Sequence, residues 1–306
     1  MAGTALTARK PTFSMQIKSE AWQKVISQTL VNPKKVERYT AGIVSAVAVS
    51  PQLQMCEGKT ILSGSLLGES LGLAHSPQLG HYYLVPFKVK AKTITNAKGE
   101  QQTIPEHYDA QFILGYKGYI QLAIRSGNYK KINVMEVKEG ELESFNPFDE
   151  EIVLSPIKDF DEREEKPTIG YYAMFEYTNG FRKVIYWSKA KMMRHADQYS
   201  AAFSKAAFER IQRGEVPKNE MWKFSSFWYK DFDSMAKKTL IRQLISKWGV
   251  MSIEMQQAMT FDNTVTEITD GAFEISETDE PIAQVVQPGV DVEIQDEREA
   301  VNIDEL

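Results

Sequence analysis

Cysteine is nearly absent: Cys56 stands alone in 306 residues. No internal disulfide framework can staple the fold, and such sparing thiol usage fits a reducing cytoplasm. Histidine is scarce too. None of the four histidines has a Cys or His partner at metal-ligand spacing, which argues against structural zinc. No apolar run approaches the roughly 18 residues that a membrane span needs. The opening MAGTALTARKPTFSM lacks the apolar stretch of a secretory signal. Neither a membrane nor an export route is expected. A Walker A loop is missing as well: Gly58-Lys59-Thr60 resembles its end, but its first glycine belongs at position 53, where Leu53 stands. No ATP site, cofactor or internal repeat is expected. What is present is ordinary: 42% apolar and 25% charged residues, enough for the core of one large domain or two modest ones.

The net charge of −5 conceals an asymmetry. From Phe261 to Leu306 there are fourteen acidic residues and one basic residue, Arg298. Residues 1–260 therefore carry a net +8. The whole-chain pI near 5.6 misleads, because a basic body and an acidic tail meet different partners. The chain divides into a flexible N-terminus over 1–14, a core over 15–255 and an acidic, disordered tail over 256–306, poor in aromatics.

Within the core the periodicity changes twice. Residues 14–31 read as an amphipathic helix with Trp22, Val25, Ile26 and Leu30 on one face. Pro33 suits the first turn of a second helix, running to about Val49. Lys59–Leu73 makes a third. This helical layer covers 15–75, and a β-rich part follows over 80–187. Tyr83, Val85, Phe87 and Val89 alternate along one strand, Asn96–Gly99 is a turn, and Tyr108–Leu114 returns. A helix over Tyr116–Arg125 ends near Gly127, and Tyr129–Val137 is a further strand. Tyr171–Tyr177 and Phe181–Trp187, joined by Thr178-Asn179-Gly180, form the clearest hairpin. Residues 188–250 are helical again: Ser188 caps one helix, Ser200–Arg213 makes another, and Asp231–Trp248 is the last strong one.

That last part holds the charge. Ser188–Val250 contains thirteen Lys and Arg against six acids, with ten aromatic residues interleaved, among them Tyr199, Trp222, Phe227, Trp228 and Trp248. Cations neutralise phosphates, and aromatic faces stack on bases that are not already paired. The combination points to single strands. On the last helix, Phe232, Met235, Ala236, Leu240, Ile241, Leu244, Ile245 and Trp248 fall at core spacing. Lys230, Ser234, Lys238 and Arg242 fall opposite, with Lys237 beside them. A solvated charged face accounts for this helix taken alone; the surrounding aromatics favour nucleic acid.

A second constellation is QFILGYKGYIQLAIRSG at 111–127. Gly115 and Gly118 bracket Tyr116-Lys117 where strand passes into helix, so a backbone or an anion can approach closely. Ile113, Leu114, Ile120, Leu122 and Ile124 are explained as core. Tyr116, Lys117 and Arg125 are not. The acidic run Asp159, Asp161, Glu162, Glu164 and Glu165 hints at a metal nuclease, but between Pro156 and Pro167 it reads as a loop, and two-metal sites need carboxylates on rigid elements. His195 is either a DNA contact or an ordinary surface residue, and Cys56 a small buried one.

Two segments, QFILGYKGYIQLAIRSG at 111–127 and WYKDFDSMAKKTLIRQLISKWG at 228–249, resemble the RecT family of phage-type single-strand annealing proteins, and the likeness is close to those carried by prophages of Gram-positive bacteria. The resemblance runs from about residue 15 to 255. It implies an α+β fold: a small antiparallel β-sheet with a β-finger hairpin at Asn96–Gly99 and a long crossing helix, flanked by N- and C-terminal helices. It implies a homo-oligomer, ring or helical filament, that binds single-stranded DNA without ATP, pairs it with its complement and holds the annealed duplex. It implies partners: a 5′-to-3′ exonuclease and, as a further candidate, a host single-strand-binding protein. By that likeness Gln111, Tyr116, Lys117 and Arg125 contact nucleic acid from the first motif, and Lys237, Lys238 and Arg242 from the second. Lys191, Arg194, Lys223, Phe227 and Trp228 are assigned from between the motifs or their edges. No residue is nominated as catalytic, and an enzyme is not expected. The main alternative is a passive protector of single strands, which binds without annealing.

Overall fold

The computed structural model describes residues 11–76, 78–95, 101–269 and 272–276. It begins with five helices, Phe13–Gln16 (α1), Glu20–Leu30 (α2), Pro33–Ala48 (α3), Pro51–Gln54 (α4) and Gly58–Ser70 (α5). The single helix expected over 14–31 is broken, because Ser19 turns extended as the N-cap of α2. Pro33 takes the first turn of α3, and the Asn32 side chain accepts the Lys34 N–H. From Gly58 to Gly68 only Lys59 of α5 reaches solvent. A helix so enclosed needs small residues: the Leu84 and Tyr82 side chains lie where Cβ atoms on Gly64 and Gly68 would stand.

The chain then forms strands Tyr82–Val89 (β1), Lys92–Thr95 (β2), Gln101–Ile104 (β3) and His107–Leu114 (β4), and helix Tyr116–Arg125 (α6). Next come Tyr129–Lys138 (β5), Leu142–Asn146 (β6), Glu151–Leu154 (β7), helix Phe160–Glu165 (α7), Thr168–Tyr177 (β8) and Arg182–Ser188 (β9). Helices Lys189–Tyr199 (α8) and Lys205–Gln212 (α9), a 3-10 turn at Lys218–Lys223, and helices Phe227–Lys230 (α10), Phe232–Trp248 (α11) and Ile253–Phe261 (α12) follow. Strands Thr264–Thr269 (β10) and Ala272–Ile275 (β11) complete the described chain.

The fold is α+β. Its strands make an antiparallel sheet ordered β1-β4-β10-β11, a second ordered β5-β8-β9, and hairpins β2-β3 and β6-β7. Helix α5 packs across β4 and β10, and α11 crosses the β5-β8-β9 sheet. The face that α11 covers presents Tyr171, Ala173 and Phe175 of β8, all fully buried. On the other face Val137, Tyr172, Met174 and Val184 pack beneath the β6-β7 hairpin. The alternation of β1 is real but its core parity is the reverse of a Tyr83-based reading: Tyr82 and Leu84 are buried, while Tyr83 and Val85 are half-exposed.

Three expectations are corrected. Ser200–Arg213 is helical only from Lys205, because the Asp197 carboxylate accepts the Lys205 N–H and the Ser204 hydroxyl caps α9. The acidic run is helix α7, not a loop: Asp159 caps it through the N–H groups of Asp161 and Glu162. The supposed tail from 256 contributes α12 and β10 to the core, with Ala258, Phe261 and Val265 buried. Its acidic composition hid a short apolar pattern, Met255, Ala258 and Phe261, at helical spacing. The turn expected at Asn96–Gly99 lies outside the described residues; the strands beside it, β2 and β3, pair antiparallel.

Candidate nucleic-acid interface

Where β4 passes into α6, Gly115 is the extended N-cap and Tyr116 the first helical residue. A side chain on Gly115 or Gly118 would strike the carbonyl oxygen of Gly80 or His81, so α6 sits directly against the chain entering β1. That closeness brings Lys117 to Tyr83: the Lys117 side chain and the Tyr83 hydroxyl both abut Gly80. Tyr83 in turn faces Phe227 of α10, ring centroids 6.1 Å apart. Lys230 Nζ lies 5.9 Å from the Phe227 ring, and Lys237 Nζ lies 5.2 Å from that of Tyr116. Lys117, Phe227 and Lys230 are exposed, and Tyr83, Tyr116 and Lys237 half-buried.

Three aromatic rings framed by three lysines thus form one surface. It draws on β1, α6, α10 and α11, and joins the two sequence motifs. Lys237 is held in place by donating to Glu136 Oε1 on β5 at 2.6 Å. Burial works against its charge, but Glu136 outweighs this and keeps the ammonium above the ordinary lysine range. Burial likewise raises Glu136, and Lys237 more than reverses it, leaving the carboxyl below its usual range. The Tyr83 hydroxyl is pushed up by burial and by Tyr116 and Asp231 nearby, so it stays a neutral donor.

The other nominated residues go elsewhere. Trp228 is only 6% exposed and sits in an aromatic core with Phe203 and Phe232, at 5.8 and 5.2 Å. Lys238 is equally buried; its Nζ donates to Asp262 Oδ1 at 2.9 Å. Neither faces solvent, so both assignments are corrected. At Lys238 and Arg242 the cationic front read on α11 is covered by the turn between α12 and β10. Arg242 reaches Asp262 Oδ2 at 3.5 Å, and Gln111 donates to the Asn263 carbonyl at 2.7 Å. Arg125 is exposed, yet its guanidinium ties α6 to the Leu71 carbonyl at 2.8 Å. Lys191 and Arg194 are exposed on α8, Lys191 over the Trp187 ring at 4.6 Å. Lys223 is exposed in the 3-10 turn and donates to Glu220 at 3.0 Å.

Sequence reasoning missed Asp262. The carboxylate is fully buried and takes bonds from the Leu114 N–H, the Tyr119 hydroxyl, Lys238 and Arg242. It therefore ties the first motif to the second from a position taken as tail. Burial pulls Lys238 below the ordinary lysine range against the attraction of Asp262, whereas Arg242, opposed by burial, is held above its own by Tyr119 and Asp262. Tyr119 is pushed well up by burial and by Asp262. Tyr83 was also missed; only its place in an apolar alternation was visible, and its partner Phe227 lies far along the chain.

The chain is 34% identical over 279 residues to the uncharacterized protein YqaK of Bacillus subtilis (strain 168), covering 86% of this chain and 82% of that protein. It is 28% identical over 247 residues to protein RecT of Escherichia coli (strain K12), covering 80% and 78%. The sequence profile of the RecT family matches residues 37–280, which takes in both motifs, the Tyr83–Phe227 surface and Asp262. The chain belongs to the RecT family.

Proposed function

We propose that this protein binds single-stranded DNA and anneals it to a complementary strand in recombination, without ATP, as an oligomer. The observation that carries the reading is the convergence of Tyr83, Tyr116 and Phe227 with Lys117, Lys230 and Lys237 on one surface built from both family motifs. Lysines there lower the repulsion between two polyanions. Aromatic faces receive bases whatever their sequence, leaving their pairing edges free to test a second strand. Lys223 and Arg125 extend the cationic surface for a longer strand. Gln111 and Arg242 act from behind it, holding the segment at 262–263. An oligomer adds avidity along the strand.

In this reading the protein works in the cytoplasm of a bacterial host cell. A 5′-to-3′ exonuclease supplies the single strand, and a host single-strand-binding protein is a further partner. The annealed duplex stays bound as an intermediate. The test is to mix two complementary labelled strands, with and without protein, in the absence of ATP. Faster pairing supports annealing; slowed pairing identifies a passive protector instead.

A further inference from the structure

A second group of cations and rings stands at the other edge of the β5-β8-β9 sheet. Glu136, Tyr171 and Trp187 are paired in register across the three strands, on the face that α11 covers. Glu136, on edge strand β5, holds Lys237 of the surface already described. Trp187, on edge strand β9, carries Lys191 at 4.6 Å and His195 at 5.1 Å, ring centroid to ring centroid for the histidine. Tyr199 continues the row, 4.6 Å from His195 and 48% exposed, with Arg194 exposed on the same helix. Burial and Lys191 hold His195 below the ordinary histidine range, so it serves as a neutral ring.

The start of α11 separates the two groups. Between the edges the Tyr171 hydroxyl donates to Asp233 Oδ1 at 2.5 Å, and Asp231, the exposed N-cap, stands beside it. Adjacent strands are about 4.8 Å apart, so the edges flank this acidic ridge at about 10 Å. A polyphosphate backbone avoids a ridge of two carboxylates and follows one side or the other.

Building on the function proposed above, we infer that the β9–α8 surface is a second site for single-stranded DNA, holding the incoming strand beside the first. Trp187 and Tyr199 offer stacking faces, and Lys191 and Arg194 take phosphates. Neither contact reads sequence, as a search for complementarity requires. The two strands lie on either side of α11 and meet over its N-terminal end.

The test uses the full chain in its native oligomeric state. The first sites are saturated with a donor-labelled oligothymidine, and an acceptor-labelled oligothymidine, unable to pair with it, is then titrated in. Lys191→Glu/Arg194→Glu, both at exposed positions, is expected to bind the first strand within about twofold of wild type and to capture the second about tenfold more weakly. Tyr199→Ala, which changes no charge, is expected to weaken the second capture about tenfold as well. Lys117→Glu/Lys230→Glu is expected to weaken the first strand instead. Unchanged second-strand capture in the α8 variants overturns the second site. So does an equal loss of first-strand affinity in both charge-reversal variants, which indicates one continuous site. If Lys117→Glu/Lys230→Glu binds the first strand normally, the first site fails, whatever the α8 variants show.

Discussion

Lys238 and Asp262 meet inside the protein, Nζ to Oδ1 at 2.9 Å, both shielded from solvent. The pair joins the crossing helix to the turn before β10, and Tyr119 adds its hydroxyl to the same carboxylate at 2.9 Å. Removing the carboxylate strands a buried ammonium. Asp262→Ala is expected to cost about 3–5 kcal/mol, read from urea unfolding. Asp262→Asn, which keeps an acceptor, is expected to cost less. Equal stability of wild type and Asp262→Ala contradicts the assignment.

The core boundary follows from the same contacts. A chain ending at residue 276 keeps α12, β10 and β11 and is expected to unfold at the wild-type urea midpoint. A chain ending at residue 255 loses Ala258, Phe261, Asp262 and Val265, all buried. Its loss is expected to exceed about 5 kcal/mol, comparable to a domain's entire stability. Circular dichroism with urea titration of the two truncations checks this.

Adjacent residues separate binding from packing. Phe227 is 40% exposed beside Tyr83, whereas Trp228 is 6% exposed among Phe203 and Phe232. Phe227→Ala is expected to weaken single-strand affinity by about 1–3 kcal/mol and leave the unfolding midpoint nearly unchanged. Trp228→Ala is expected to lose about 3–5 kcal/mol of stability. Anisotropy titration and urea unfolding of both variants distinguish the roles; reversed effects contradict them.

Sequence periodicity found most helices and the β8-β9 hairpin, because those elements bury one face and carry their own caps: Asn32 for α3, Ser188 for α8, Asp231 for α11. It also found the two motifs that meet at Tyr116 and Lys237. It failed where a charged residue is neutralised by a distant one. Lys238 and Arg242 share a helix face with four-residue spacing, the pattern of a solvated or ligand-binding front. Only the fold returns Asp262 to cover them. Trp228 failed for the opposite reason: an aromatic at the edge of a basic motif looks like a stacking platform, and only tertiary packing distinguishes it from Phe227.

Acid is expected to destabilise the protein through His75. Its imidazole packs against Tyr82, with Nδ1 buried and unpartnered among the described residues. Burial pushes its pKa from 6.5 down to about 4. The unfolded chain then takes up the proton first as pH falls. The contribution is whole above pH 6.5 and is lost progressively towards pH 4. Wild type is expected to lose more stability than His75→Gln between pH 7.5 and 5, compared by urea midpoints. Parallel losses contradict the assignment.

The central claim is that Tyr83, Tyr116 and Phe227, framed by Lys117, Lys230 and Lys237, receive the single strand. Photocrosslinking of the full chain to an oligonucleotide carrying 5-bromodeoxyuridine, with peptide mapping by mass spectrometry, tests it directly. The account places crosslinks in peptides containing Tyr83, Tyr116 or Phe227, and none at buried Trp228. Crosslinks confined to the α1–α4 layer or the β6-β7 hairpin would contradict it.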